Sequence, residues 1–505
     1  MGFGKIIGGV AFHAAAAGLV LAGAPVVAAE EQAAPVVPDI QTLGASLIAA
    51  INGLAADRAA WIDRNMSARA REAGQAAEMQ ALLDRFGPLY GPLAFKGASL
   101  QGSFLSIAVD APARKREGRI TLLIDRADAG HVAVIWDLPF PKGLDVEALP
   151  ATLSLQEAKR RIAAQVEAAA RADEFSGAVL VTRGGKTLYS KAAGFADRDF
   201  AVPNAMDTRF HLGSMDKMFT ATAIAQLIEA GKLSFDTRLI DVLPDYPNAE
   251  AARKITIAHL LTHRAGLGML WDRKGYDRLK PYDTVAELLP MFAAEPLLFQ
   301  PGEGADYSNE GFIVLGAVIE KLSGQSYYDY VQQHIFDPAG MTDTGYPRLD
   351  EIAPRRAVGY MVPEDDPLGL YPRRPNWTFN GYRGNSCGGG YSTAADMTRF
   401  LRALKAGTLV SPAMVERIIA AEPASIPNYG MGFQVMPINN DMLRGHDGGG
   451  PHSGVNSFAK MLWKGDYVVA VMGNYDAPFA QNLGGDIVRI LDRLEAGEAR
   501  AAQKR

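Results

Sequence analysis

The 505-residue sequence has a single cysteine, Cys387, so no internal disulfide is available and any folded part must be held by its core. It also lacks any long run of one charge. Its 51 basic and 56 acidic residues are mixed along the chain and leave a net charge of -5, which argues against nucleic acid or an anionic membrane surface as a partner. No internal repeat is visible, and no cysteine lies near the N-terminus to carry a lipid. What the chain does have is apolar residues, 48% of the total, enough at this length for two to three domains' worth of core.

One long apolar run opens the sequence, "MGFGKIIGGVAFHAAAAGLVLAGAPVVAAEEQ", with Lys5 ahead of it and small residues near Ala29. It reads as a secretory leader over residues 1–29, cleaved after Ala29, which implies a secreted or periplasmic location and no membrane span in the mature form. The alternative is a retained anchor, since the run is long enough to span. Against it stand the weak hydrophobicity of Gly and Ala and the presence of His13. A Pro/Ala-rich spacer occupies residues 30–39. Residues 40–145 then read as a small α+β accessory module: helical periodicity to about Arg85 (Leu43, Leu47, Ile51), followed by three period-two segments, "SFLSIAVD", "RITLLIDR" and "HVAVIWDLP". They predict a three-stranded antiparallel meander, with Leu105, Ile107 and Val109 on one face.

After a linker at residues 146–153, an amphipathic helix and a hairpin turning at Arg183–Gly185 begin a larger domain over 154–494, and residues 495–505 read as a frayed polar tail. The "GGKT" in that hairpin is no phosphate loop: the motif's first glycine would fall at Leu180, and a strand rather than a helix follows. In "HLGSMDKMFTATAIAQLIEAG", helical periodicity places Ser214, Lys217, Ala221, Ile224 and Ile228 on one face, and Gly231 ends the segment. A lysine on an apolar face is desolvated, which lowers its pKa toward that of a base, and Ser214 stands where the helix N-terminus favours negative charge. On this window alone, a serine cap with a snorkelling lysine is an equal reading. A second Ser-x-x-Lys, Ser457 to Lys460, lies in strand-like sequence, where positions three apart face opposite ways.

With these residues in view, "FHLGSMDKMFTA" resembles the nucleophile segment of the serine β-lactamase and penicillin-binding-protein superfamily, in its class C-related branch. "ITIAHLLTHRAGL", "GADYSNEGFIVLGAVIEKLSGQSYYDY", "CGGGYSTAADMTRFLRAL" and "GHDGGGPHSGVNSF" resemble the segments that follow in family order, from about Phe175 to Leu494. The resemblance implies an antiparallel sheet flanked by helices, with Ser214 as nucleophile, Lys217 as its base partner and Tyr307 as a second proton-transfer group. It further implies that Asn309 orients Lys217 and the substrate, that His446 and Gly448 form the third motif, and that the N–H groups of Ser214 and Gly449 make the oxyanion hole. A second Tyr-x-Asn at Tyr246 has proline between and lies in a loop.

His446 stands where many β-lactamases carry lysine, and a mostly neutral imidazole is a weaker partner for the β-lactam carboxylate. No residue is assignable as a class A-type deacylating glutamate, so ester or peptide hydrolysis fits better than efficient lactamase activity. "GNSCG" at Gly384–Gly388 matches Gly-x-Ser-x-Gly, but no clear strand precedes it and more glycine follows, which reads as a tight loop with Cys387 packed inside. His259 and His263 have zinc-site spacing, yet Leu260 replaces the glutamate of the metalloprotease motif, so packing and helix-end bonding are expected and no metal or other cofactor is. His452 either lines the pocket or caps a turn. The expected activity is an exported serine hydrolase acting through acyl-Ser214 on a small-molecule or peptide substrate, possibly derived from the cell wall. The alternative is a penicillin-binding or sensor module that acylates without efficient turnover.

Overall fold

The computed structural model describes residues 39–503 except 73–74, 102–103, 113–115, 126–130, 137–148, 271–276, 363–372, 378–379, 440 and 451. The leader-like run, most of the spacer and much of the linker lie outside the described residues. The chain divides into two compact units, the second beginning at Val146.

The first unit opens with four helices, α1 (Ile40–Asn52), α2 (Ala55–Asn65), α3 (Ala68–Glu72) and α4 (Gln75–Tyr90), followed by four antiparallel strands paired in chain order. These are β1 (Ala94–Gln101), β2 (Phe104–Ala111), β3 (Arg116–Asp125) and β4 (His131–Trp136). Leu105, Ile107 and Val109 of β2 are buried, as their alternation predicts, against Leu47, Ile51, Trp61 and Phe86 of the helices. The meander has four strands rather than three. β1 escapes a periodicity reading because it holds no β-branched residue, and its register slips between Phe95 and Gly97, so alternation breaks mid-strand.

In the second unit, α5 (Leu155–Arg171) precedes the hairpin β5 (Gly177–Arg183) and β6 (Lys186–Ala193), and a short strand β7 (Phe210–His211) leads through a 3-10 turn, Gly213–Met215, into α6 (Asp216–Glu229). There follow α7 (Ile257–Leu261), α8 (Asn309–Ser323), α9 (Tyr327–Val331), β8 (Tyr391–Ser392) and α10 (Ala394–Lys405). The chain ends with β9 (Gln434–Ile438), β10 (Asp441–Gly450), β11 (Val455–Leu462), β12 (Tyr467–Gly473) and α11 (Phe479–Gln503). Six strands form one antiparallel sheet in the order β9-β10-β11-β12-β5-β6. Every residue of β11 and β12 is buried, because both faces of the sheet are covered. Ala459, Met461, Ala470 and Met472 join the core containing α6 and α10, while Phe458 on the opposite face packs against Gly484 of α11. The polar C-terminal stretch is not frayed: α11 continues to Gln503, held where Glu498 pairs with Arg183 at 2.8 Å and where Gly497 lies close against the Leu153 carbonyl.

Helix α6 differs from its expected form as well. Instead of one apolar stripe it is buried nearly all round, with Asp216, Lys217, Thr220 and Thr222 inside along with the apolar residues. Lys217 is buried as expected, but helix periodicity alone does not single it out.

Candidate active site

Separate stretches converge on Ser214, and glycine is what lets them do so. Gly213 has φ 53°, and a Cβ there would stand 2.4 Å from the backbone nitrogen of Gly449. A Cβ on Gly448 would stand 1.9 Å from the Leu212 carbonyl oxygen and 2.9 Å from the Ser214 nitrogen. The Gly213–Met215 turn and strand β10 therefore meet backbone to backbone, with the nitrogens of Ser214 and Gly449 in one small space. Across the sheet, the Ser457 hydroxyl donates to the His211 carbonyl (2.9 Å), which ties β11 to β7 just ahead of this turn.

Lys217 is fully buried one helical turn below Ser214. Its Nζ donates to Asn309 Oδ1 at 2.7 Å and to the Cys387 carbonyl at 2.6 Å, and it lies 3.3 Å from Ser214 Oγ. Two oxygens that can only accept thus take two N–H positions, and the remaining tetrahedral position of the nitrogen is left for the serine hydroxyl. In the neutral amine, the lone pair falls there. The face of the Tyr307 ring lies 4.9 Å from the same nitrogen and that of Phe312 5.4 Å.

Asn309 opens α8, whose N-cap Ser308 accepts the Gly311 N–H (3.0 Å) and donates to the Gly268 carbonyl (3.0 Å). Tyr307 immediately precedes this cap. Its ring, rather than its hydroxyl, faces Lys217, so the direct lysine–phenol hydrogen bond implied by the family pattern is not formed here. What holds Tyr307 is His263. The His263 carbonyl accepts the Asp306 N–H and its Nδ1 accepts the Ser308 N–H, both at 3.0 Å, while the two rings lie 4.4 Å apart. His263 itself adopts φ 59°, and burial, followed by the charge of Lys217, drives its pKa well below the usual value.

His446, in β10, is buried and neutral, its pKa pushed down to about 4 chiefly by desolvation. Its Nδ1 donates to the Asp447 carbonyl, leaving Nε2 to accept from the Tyr429 hydroxyl at 3.1 Å. Asp447 points the other way, to Gln434 (2.9 Å) and to Lys460 (3.1 Å). Ser457 and Lys460 therefore do face opposite sides of β11.

Sequence reasoning missed the Cys387 carbonyl, the Tyr429 hydroxyl and the grip of His263 on Tyr307. The other signals resolve as packing. "GNSCG" is a tight turn closed by mutual Asn385–Gly388 backbone bonds, and burial raises the Cys387 thiol to about 11. The Nδ1 atoms of His259 and His263 are both occupied by backbone N–H groups, and no cluster suited to a metal occurs among the described residues. His452 lies in the turn between β10 and β11 with φ 55°.

With this geometry in hand, residues 161–491 match the family model described as Beta-lactamase. The chain belongs to the β-lactamase family. Among relatives in that family, it is 34% identical over 263 residues to the putative penicillin-binding protein PbpX of Bacillus subtilis (strain 168), a match spanning 52% of this chain and 63% of that one. It is 32% identical over 323 residues to the esterase EstB of Burkholderia gladioli, spanning 56% and 81%. Among solved β-lactamase-family folds, the penicillin binding protein from Bacillus halodurans superposes with a TM-score of 0.58 at 30% identity, covering 65% of this chain and 98% of that one. An antiparallel sheet between helical layers is thus the family fold as well as the fold seen here. Among the described residues, no helix is long and apolar enough to cross a membrane.

Proposed function

We propose that this protein is a serine hydrolase that cleaves an ester or amide bond through an acyl-enzyme on Ser214. The observation that carries the reading is the seating of the Lys217 nitrogen between Asn309 Oδ1 and the Cys387 carbonyl, 3.3 Å from Ser214 Oγ. From there the neutral amine takes the hydroxyl proton as Oγ bonds to the substrate carbonyl carbon. The N–H groups of Ser214 and Gly449 receive the oxyanion, each donor contributing about 3 kcal/mol to the transition state. As the tetrahedral intermediate collapses, the Lys217 ammonium returns the proton to the leaving alcohol or amine, with the Tyr307 ring packed over it. Water then attacks the ester on Ser214 and restores the hydroxyl.

His446 bears on the substrate. A buried neutral imidazole already accepting from Tyr429 offers no cation to a carboxylate, so uncharged esters and amides fit better than β-lactams. The esterase and penicillin-binding relatives support the same range of acyl chemistry. The leader-like residues 1–29 support action outside the cytoplasm, on small or cell-wall-derived substrates; N-terminal sequencing of the exported chain checks this.

A fluorophosphonate probe followed by intact-mass measurement tests the central reading. The wild type gains one adduct on Ser214 and Ser214→Ala gains none; an unlabelled wild type overturns the proposal. Parallel assays with a short-chain p-nitrophenyl ester, a D-Ala-D-Ala peptide and nitrocefin are expected to give turnover of the ester and the slowest turnover of nitrocefin. An adduct that forms with every substrate but never turns over would make this a binding module.

A further inference from the structure

Immediately before the lysine stands a buried carboxylate that the mechanism above does not use. Asp216 Oδ2 accepts the Gly390 N–H at 2.6 Å, and Oδ1 accepts the Tyr346 hydroxyl at 3.2 Å. Two further side chains of α6 reach the same glycine-rich segment: Lys217 donates to the Cys387 carbonyl, and Thr220 donates to the Ser386 carbonyl at 2.7 Å. Tyr346 continues to Tyr327 (3.3 Å) and Tyr327 to Thr220 (2.8 Å), so the hydroxyls close a ring back onto α6. The segment is held from the nucleophile side too, by Leu212 N–H to the Gly390 carbonyl (2.7 Å) and Gly389 N–H to the Gly213 carbonyl (3.3 Å). Its one outward contribution to the site is the Cys387 carbonyl that aims the amine.

We infer that Asp216 is a positioning residue for Lys217. By tying Gly390 to the first turn of α6, it fixes the segment whose Cys387 carbonyl aims the lysine nitrogen at Ser214. This rests on the serine-hydrolase reading above. The groups facing the pair are Tyr346 and Tyr327 toward Asp216, Tyr307, His263 and His446 toward Lys217, and the Cys387 thiol toward both. Burial lifts the Asp216 carboxyl to about 7 against the opposing pull of the Gly390 N–H, the Tyr346 hydroxyl and the Lys217 charge. As pH rises through neutrality the carboxylate therefore forms beside the lysine.

The test uses the full chain and the rate of fluorophosphonate labelling at Ser214, with kcat and KM for the p-nitrophenyl ester. Asp216→Ala removes the tie, and its labelling rate and kcat are expected to fall about 100-fold with KM nearly unchanged. Asp216→Asn keeps an acceptor for Gly390 and loses the charge. It is expected to retain most of kcat with KM nearly unchanged, so that the conservative variant rescues what Asp216→Ala loses. If Asp216→Ala does not fold, Asp216→Asn and Tyr346→Phe decide, the latter expected to lower kcat about threefold at constant KM through one lost hydrogen bond. Wild-type rates in Asp216→Ala, or an Asp216→Asn as slow as Asp216→Ala, overturn the inference while leaving the nucleophile intact. Failure of the wild type to label overturns the underlying reading instead.

Discussion

At the residue scale, Lys217 is the test of whether burial here serves chemistry. A structural lysine in a core is expected to meet a carboxylate or snorkel to solvent. Lys217 does neither: its bonded partners are an amide oxygen, a backbone carbonyl and the serine hydroxyl. Lys217→Ala is therefore expected to slow acylation by about 10^3-fold, the middle of the range for a positioned base, in a protein whose circular dichroism is unchanged. Loss of the fold in place of loss of rate would mark the lysine as a packing residue. Tyr429→Phe is a milder probe of the same site. It leaves the His446 Nε2 without its donor and is expected to cost about 1 kcal/mol of stability, with acylation affected far less than by Lys217→Ala.

At the element scale, the meeting of the Gly213–Met215 turn with strand β10 brings together the Ser214 and Gly449 nitrogens, the proposed oxyanion pair. A methyl at position 213 must push against the Gly449 nitrogen, and φ 53° makes any L side chain there unfavourable by itself. Gly213→Ala is expected to reduce kcat by about 10^2-fold or more, the cost of one displaced oxyanion donor, with a smaller change in KM; steady-state kinetics on the ester checks it. A wild-type kcat would show that the Gly449 N–H plays no such part. The elements also show which parts of the site were legible. Ser214 and Lys217 share a helix face, which spacing alone leaves open to a capping reading, and Tyr307 and Asn309 are singled out by the family resemblance of their segment. The Cys387 carbonyl cannot, since backbone oxygens carry no residue code and the segment reaches Lys217 only through the tertiary fold. For His263 packing and helix-end bonding are expected, and what the sequence does not show is that its carbonyl and Nδ1 are both spent on the backbone around Tyr307. In the first unit, β2, β3 and β4 alternate cleanly and were readable, whereas β1 loses its period at the bulge before Gly97.

At the scale of the whole molecule, the buried titratable groups make the fold sensitive to acid in a defined window. His211 and His446 are both held down near 4, in each case by burial first, and burial drives His263 well below its usual value. A histidine whose folded pKa is depressed binds its proton more readily once unfolded, so its contribution is fully present above about 6.5 and disappears as pH falls toward 4. At about 1.4 kcal/mol per unit, each of the first two withdraws about 3 kcal/mol over that range. Asp216, raised to about 7, works in the opposite sense and regains a similar amount as it protonates. The three histidines outweigh the raised carboxyls of Asp216, Glu320 and Glu495, and Asp447, whose pKa is lowered, takes up its proton only below this window. The melting temperature is thus expected to fall steadily between pH 6.5 and 4. His211→Asn keeps an acceptor for the Gly213 N–H that His211 Nδ1 receives at 3.0 Å but cannot be protonated, so its melting temperature should fall less over the same interval. A wild-type melting temperature that stays level from 6.5 to 4, or a His211→Asn slope equal to the wild type's, would show that these imidazoles do not control the acid limit of the fold.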